Sequence, residues 1–166
     1  MEPHAVGNAE IGTCVELCEA EQRLAKYLAA ERERMNRDGG VTNSRVGPQS
    51  DAETDLTGIG AELAFCRIMN VYPDLTLGPR KGGADGWWAG RACDVKGSRY
   101  LDGKLLARPT KLERHGATLY ALMTGEFPSY VFRGLTSADA LLRADRLIDL
   151  GHGQTYAMTQ DDLRDA

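Results

Sequence analysis

The 166-residue chain has the length of one domain, and its 42% hydrophobic and 27% charged residues are ordinary for a globular protein. Its net charge of −4 argues against a protein that coats nucleic acid with its whole surface. No apolar run approaches the ~20 residues of a membrane helix. The N-terminus lacks the basic start and apolar core of a secretory signal, so we expect a cytoplasmic protein without a membrane partner.

The N-terminal part of the chain predicts a helix that precedes the main body. Residues 1–12 are expected to be flexible, and residues 13–166 to form a single domain. A broken apolar stripe predicts a helix over residues 13–37, with the charged run Glu31–Arg34 on its exposed side. We favour an added helix that packs on the core, and the alternative is an element that mediates dimerisation or clamps a substrate.

A second helix is predicted from a capping box at Ser50–Glu53 to Asn70. Between Gly58 and Asn70 its only charged residues are Glu62 and Arg67, so most of its surface is expected to be buried. A lone carboxylate on such a helix is costly unless it is paired or metal-bound. Glu62 is therefore a candidate site residue, and the alternative is an exposed Glu favoured by the helix dipole.

The segment Asp85–Lys96 carries two carboxylates and an amine around a predicted two-residue turn at Ala89-Gly90. This turn pairs Gly86 with Cys93 and places Asp85 opposite Asp94. Like charges in directly opposed strand positions are destabilising, and a divalent cation between them would reverse that effect. Because strand side chains alternate, Lys96 shares the face of Asp94, while Cys93 and Val95 point to the other face.

The remaining predicted elements are short and bounded by turn residues. Strands are predicted over residues 75–77, 104–107 (forming a second hairpin with the preceding strand), 117–124, 130–134 and 155–158, and helices over 137–147 and 161–164. The order of helices and strands predicts an α/β fold with a mixed central β-sheet.

Basic residues concentrate around the hairpin. Residues 80–115 contain nine basic and four acidic side chains, although the whole chain is acidic. A local positive patch on an acidic body favours a phosphodiester substrate. The alternative is a solvated surface with accidental clustering. The candidate nucleic-acid contacts are Arg80, Lys81, Arg91, Ser98, Arg99, Lys104 and Arg108.

The two tryptophans of the chain, Trp87 and Trp88, are adjacent on the first strand of the hairpin. Alternation sends them to opposite faces, so one of them is expected to lie in the core. The other either stacks on a base or ribose or packs against the protein, and we favour packing.

These residues resemble the signature of the PD-(D/E)XK nuclease superfamily, which is an acid, a short hairpin and then acid-x-Lys. Asp85 matches the first acid, Asp94 the second acid and Lys96 the lysine, while Glu62 matches the Glu that often lies on a preceding helix. Ala84 stands where the family name has Pro. The helix before the hairpin, the Asp-Gly-Trp-Trp hairpin and the later Met-Thr-Gly strand also resemble small phage or prophage members.

The resemblance implies a restriction-endonuclease-like core, with a mixed central sheet of four or five strands flanked by helices, over residues 51–135. It implies a Mg²⁺-dependent phosphodiesterase, with Mn²⁺ as a substitute and DNA as the expected substrate. Asp85, Asp94 and the carbonyl of Val95 would hold the ion, and Glu62 would hold a second ion or orient water. Lys96 would stabilise the phosphate or position the nucleophile.

Two other functions stay open at this point. A catalytically silent nucleic-acid-binding or regulatory protein could keep the same scaffold, and a metal-dependent hydrolase could act on another phosphate ester. The basic residues beside the hairpin favour a polymeric substrate over a small ester. The choice between DNA and RNA, and the formation of a homodimer, are also open.

Overall fold

The structure, a computed structural model, describes residues 9–40, 50–77, 83–109 and 116–165. The strands are β1 Cys14–Glu16, β2 Gly86–Trp88, β3 Arg91–Ser98, β4 Leu105–Ala107, β5 Leu119–Thr124, β6 Ser129–Ser137, β7 Leu147–Asp149 and β8 Gln154–Met158. The helices are α1 Glu19–Asp38, α2 Asp51–Met69, α3 Ala138–Leu141 and α4 Gln160–Arg164. No helix within these ranges is long and apolar enough to cross a bilayer.

The central sheet has five strands in the order β1-β6-β5-β3-β2. Strands β3 and β5 are parallel, and the other neighbours in this sheet are antiparallel. The predicted α/β class with a mixed central sheet is therefore confirmed. All six residues of β5 are buried, as expected for the central strand of a sheet covered on both faces.

A second, three-stranded sheet was not predicted. It has the order β4-β8-β7 and is antiparallel throughout. The predicted hairpin that joins residues 104–107 to the preceding strand is wrong, because Leu105–Ala107 pairs with β8. Leu105 and Ala107 bury their side chains in a cluster that also contains Met158. That burial, which is non-local in sequence, decides the partner strand.

Two apolar clusters lie on the two faces of β5. The helix-side cluster contains Leu119, Ala121 and Met123 of β5 with buried residues of α1 and α2. The second-sheet cluster contains Tyr120 and Leu122 with buried residues of β4, β8, α3 and α4. Because the side chains of β5 alternate between the two clusters, one strand is shared by both parts of the core.

The predicted boundaries of the added N-terminal helix, residues 13–37, are partly wrong. Helix α1 begins at Glu19, and Cys14–Glu16 forms an edge strand on β6. Val15 and Leu17 are buried while their neighbours are exposed, so this part of the apolar pattern has the two-residue period of a strand. The Glu21 carboxylate then accepts the Cys18 backbone N–H at 2.7 Å and caps the helix.

Two smaller predicted elements also differ from the structure. Residues 75–77 are not a strand but part of an irregular segment that follows α2. The helix that Ser137 caps ends at Leu141, and a 3-10 turn over Ala144–Arg146 leads into β7. The predicted continuation to Leu147 is wrong because Leu147 pairs with Tyr156 of β8, and strand pairing takes the place of helix propagation.

Candidate active site

The β2–β3 hairpin has the predicted register. Gly86 pairs with Cys93, Trp87 with Ala92, and Trp88 with Arg91. Ala89 and Gly90 have φ values of 49° and 72°, as a type I′ turn requires. Directly paired residues share a face, so Trp87, Ala92, Asp94 and Lys96 lie on one face of the sheet. Trp88 and Cys93 lie on the other face, towards α2.

Asp85 immediately precedes β2, and its predicted pairing directly opposite Asp94 is not part of the observed register, in which Gly86–Cys93 is the last pair. The Asp85 backbone N–H donates to the Cys93 carbonyl at 2.8 Å. Its Oδ2 accepts a hydrogen bond from the backbone N–H of Val95 at 2.7 Å. The carboxylate thus takes the place of the backbone carbonyl that a longer β2 would offer to this N–H. The N–H and C=O of one strand residue project to the same side, and the Val95 carbonyl therefore faces the Asp85 edge of β3 as well.

Asp94 and Lys96 form an ion pair on the opposite side of β3 from α2. Lys96 Nζ lies 2.8 Å from Asp94 Oδ2. The Asp94 side chain is 7% exposed and that of Lys96 is 32% exposed, so the ammonium group reaches solvent while the carboxylate does not. The predicted common face of these two residues is confirmed.

Glu62 is buried on α2 and pairs with a residue of α1. Arg32 Nη1 lies 3.2 Å from Glu62 Oε2, and both side chains are only 12% exposed. The alternative of a solvent-exposed Glu62 is therefore wrong. The placement of Arg32 on the exposed side of its helix is wrong as well, because the guanidinium group turns inward to this carboxylate.

Two glycines let α2 lie close to the sheet. A Cβ on Gly60 would collide with the Tyr130 hydroxyl, which donates to the Thr57 carbonyl at 3.2 Å. A Cβ on Gly97 of β3 would lie 2.9 Å from the Ala61 Cβ. Since Ala61 precedes Glu62, this close packing holds the Glu62 backbone near β3.

The charges of the surrounding residues act on the Asp85 carboxyl. Burial raises the pKa of the Asp85 carboxyl well above its ordinary value, and the charges of Glu62 and Asp94 raise it further. The Val95 N–H and the Lys96 ammonium oppose this rise in the pKa of Asp85. Charges act on a buried carboxyl in this way when they lie close to it. Glu62, Asp94 and Lys96 thus each lie near enough to Asp85 to affect its ionisation.

The donor chemistry of this neighbourhood fits a hard divalent cation, because all three acids offer carboxylate oxygens. The arrangement is not that of a complete ligand set. In the ranges that the structure describes, no group of three or more His, Cys, Asp or Glu side chains is placed to hold a metal ion. The carboxylates are engaged instead with the Val95 N–H, Lys96 and Arg32.

The candidate nucleic-acid residues do not form one described patch. Arg80 and Lys81 lie outside the described residues. Arg91 is at the turn end of the hairpin and donates to the Thr118 carbonyl at 3.1 Å. The other four lie at or beyond the far end of β3. Among them, Ser98 shares the face of Asp94 by alternation, Arg99 lies 3.5 Å from Glu126, Lys104 is exposed and Arg108 is partly buried.

The two tryptophans separate as predicted, and the exposed one lies on the face of Asp94. Trp88 packs against the helix-side cluster. Trp87 is 64% exposed, so the favoured packing of both rings against the protein is wrong. An open groove of about 850 Å³ adjoins Asp85, and its lining includes Tyr72, Asp74, Ala84 and Trp87.

Arg32 and Asp74 belong to this neighbourhood and were missed in the sequence. Arg32 Nη2 donates to the Asp74 carbonyl at 3.3 Å, and the Asp74 N–H donates to the Asp85 carbonyl at 3.2 Å. The available signal for Arg32 was the cost of burying Glu62, which demands a cationic partner. The sequence does not say which of the many basic residues supplies it. No signal pointed to Asp74, since its contacts with Arg32 and Asp85 are made by the backbone.

Comparisons with protein-family models, with curated proteins and with solved structures found no match to this chain.

Proposed function

We propose that this chain hydrolyses phosphodiester bonds with Mg²⁺ as the cofactor, for which Mn²⁺ can substitute, and that its substrate is DNA. Two observations on the acids carry the proposal. The Asp85 carboxyl is desolvated and is affected by the charges of Glu62 and Asp94, and the Lys96 ammonium forms an ion pair with Asp94. Clustered, desolvated acids cost folding stability, and such perturbed groups concentrate at functional sites. The order of helix, hairpin and mixed sheet supports the PD-(D/E)XK resemblance.

The roles of the residues follow from their chemistry. Asp85, Asp94 and the carbonyl of Val95 would hold the ion, and Glu62 would hold a second ion or orient a water molecule. When bound, the ion supplies Lewis acidity and lowers the pKa of water. Lys96 carries an ammonium group that reaches solvent on the face of Asp94, where it can bind a phosphate oxygen as charge develops.

The decisive test is cleavage of a panel of labelled DNA and RNA structures with Mg²⁺, with Mn²⁺ or with EDTA. We expect ion-dependent cleavage by the wild-type chain. Lys96→Ala should lower turnover about 10²–10³-fold, as loss of one hydrogen-bond donor to a transition state does in other enzymes, and should still bind Mg²⁺ in calorimetry. Asp94→Asn should lose both turnover and Mg²⁺ binding. Arg23→Ala, which removes an exposed arginine of α1, is the control.

Cleavage by Asp94→Asn at the wild-type rate would refute this assignment. Tight binding of nucleic acid without cleavage in any ion would favour the alternative, a catalytically silent binding or regulatory protein.

Trp87 supports a nucleic acid over a small phosphate ester as the substrate. The ring is exposed on the face of Asp94, and stacking of a base on an aromatic side chain contributes about 1–3 kcal/mol. Trp87→Ala should therefore weaken binding of single-stranded oligonucleotides about 5-fold or more. Tyr27→Ala removes a ring of similar exposure on α1 and should leave binding unchanged. Equal affinities for both variants in fluorescence anisotropy would remove this support.

A further inference from the structure

Arg32 differs from the other arginines of α1 in where its ion pair lies. Arg23, Arg34 and Arg37 pair with acids of the same helix, and their side chains are 58–76% exposed. Such exposed pairs contribute little to stability. Arg32 instead leaves its helix, pairs with Glu62 of α2 and is 12% exposed.

Burial makes this pair a costly arrangement unless both groups are well satisfied. Taking a guanidinium and a carboxylate out of water costs several kcal/mol for each ion, and their attraction compensates only with good geometry and further hydrogen bonds. A pair of apolar residues could fill the same space between two packed helices. The presence of charges here therefore points to a requirement for an oriented carboxylate.

The guanidinium group also connects to Asp85. Its second contact, to the Asp74 carbonyl, belongs to a peptide segment whose N–H donates to the Asp85 carbonyl. Arg32 thus touches Glu62 directly and reaches the backbone of Asp85 through one intervening residue. A planar guanidinium can make these two differently directed contacts at once, and a lysine ammonium lacks that fixed fork.

We propose that Arg32 is a positioning residue of the site, which holds the Glu62 carboxylate in the orientation needed to bind a divalent cation. This inference rests on the proposed function, since it assigns Glu62 to the cation. It gives α1 a role in the site that the hairpin and α2 do not supply by themselves. Carboxylates that bind metals are commonly held by such hydrogen-bond partners, and removal of the partner typically costs 10–100-fold in metal affinity or activity.

The test is a double-mutant cycle on the affinity for Mn²⁺ alone, measured by electron paramagnetic resonance without substrate. Arg32→Gln should weaken Mn²⁺ binding about 10–100-fold. In a Glu62→Gln background the same Arg32 change should have no further effect, because Arg32 acts through that carboxylate. Arg32→Lys, which keeps the charge, should give an intermediate loss and replaces Arg32→Gln if the latter does not fold. Arg37→Gln, an exposed arginine of the same helix, is the matched control.

The outcomes separate the two proposals. Mn²⁺ binding by the wild type, with an unchanged affinity in Arg32→Gln, would overturn the role of Arg32 alone. Additive losses in the cycle would also overturn it, since they would mean that Arg32 acts through the general packing of α1. Failure of the wild-type chain to bind Mn²⁺ would instead overturn the metal-dependent function and, with it, this inference.

Discussion

Asp85 is a residue whose ionisation opposes folding. Its carboxyl is desolvated and lies near two other acids, and these effects raise its pKa well above the ordinary value. The Val95 N–H provides a hydrogen bond but does not cancel them. A folded state that binds the proton more tightly than the unfolded state loses stability as that proton leaves.

The sign of the resulting pH dependence can be stated for Asp85. Its stabilising contribution is fully present below the unfolded pKa of ~3.9, and is lost as the pH rises through the raised folded pKa. Asp85→Asn removes that titration, and the amide oxygen can still accept the Val95 N–H.

We therefore expect Asp85→Asn to unfold at a higher temperature than the wild type at pH 8 in EDTA, by about 2–4 °C for each kcal/mol gained. The difference should vanish near pH 4. Thermal unfolding followed by circular dichroism across this pH range measures the effect, and Asp102→Asn, in an exposed turn, controls for loss of a carboxylate. A variant less stable than the wild type at pH 8 would contradict the assigned environment of Asp85.

At the scale of elements, the contact between α2 and β3 sets the position of Glu62 relative to the hairpin. Gly97 contributes no side chain at the crossing, so the helix comes within van der Waals reach of the strand. A Cβ there would lie 2.9 Å from the Ala61 Cβ and 3.2 Å from the Thr57 carbonyl oxygen. Gly58, one turn before Glu62, meets no atom within 4 Å at its own Cβ position and is not needed for the approach.

Substitution by alanine should therefore change the free energy of unfolding in opposite directions at Gly97 and at Gly58. Gly97→Ala should destabilise the fold by about 1–3 kcal/mol, since α2 must shift to accommodate the methyl group. Gly58→Ala should stabilise it by up to about 1 kcal/mol, because alanine is the better helix former. Urea unfolding of the two variants, each a glycine-to-alanine change near the same contact, makes the comparison. Equal stabilities would refute the close packing at Gly97.

At the scale of the molecule, β5 contributes side chains to both apolar clusters. Its odd-numbered residues pack with α1 and α2, and its even-numbered apolar residues pack beneath the second sheet. Helix α4 closes the second-sheet cluster through Leu163, which is 2% exposed and lies against Gly134 of β6. Loss of packing on one face should therefore lower the stability of the whole sheet.

Leu163→Ala tests this cooperativity, with an expected cost of about 2–5 kcal/mol for a buried leucine. In a Trp87→Phe background, in which the fluorescence comes from Trp88 at the helix-side cluster, Leu163→Ala should lower the unfolding midpoints from fluorescence and from far-UV circular dichroism equally. Leu150→Ala, at a residue 44% exposed, should change stability by no more than ~0.5 kcal/mol. Separate midpoints for the two signals would mean that the clusters unfold independently.

Local patterns predicted much of the fold. The Ala89-Gly90 turn predicted the hairpin register, and the Ser50–Glu53 capping box with its apolar run predicted α2, because both depend on neighbours within a few residues. The start of α1 was misjudged since Val15 and Leu17 fit a helical stripe and a strand alternation alike. The partner strand of Leu105–Ala107 was misjudged because β8, against which these side chains are buried, lies about fifty residues later in the chain.

The sequence by itself determined that Asp94 and Lys96 share a face, that Gly86 pairs with Cys93 in the hairpin, and that a buried Glu62 would need a partner. Alternation and turn geometry are local rules, and they suffice for these statements. Only the tertiary structure decided that the partner is Arg32 of α1, that Trp87 is the exposed ring and that the second sheet covers β5. These features depend on which packing of distant segments buries the most apolar area and pairs the most charges. A short stretch of sequence does not show how such alternative packings compare in free energy.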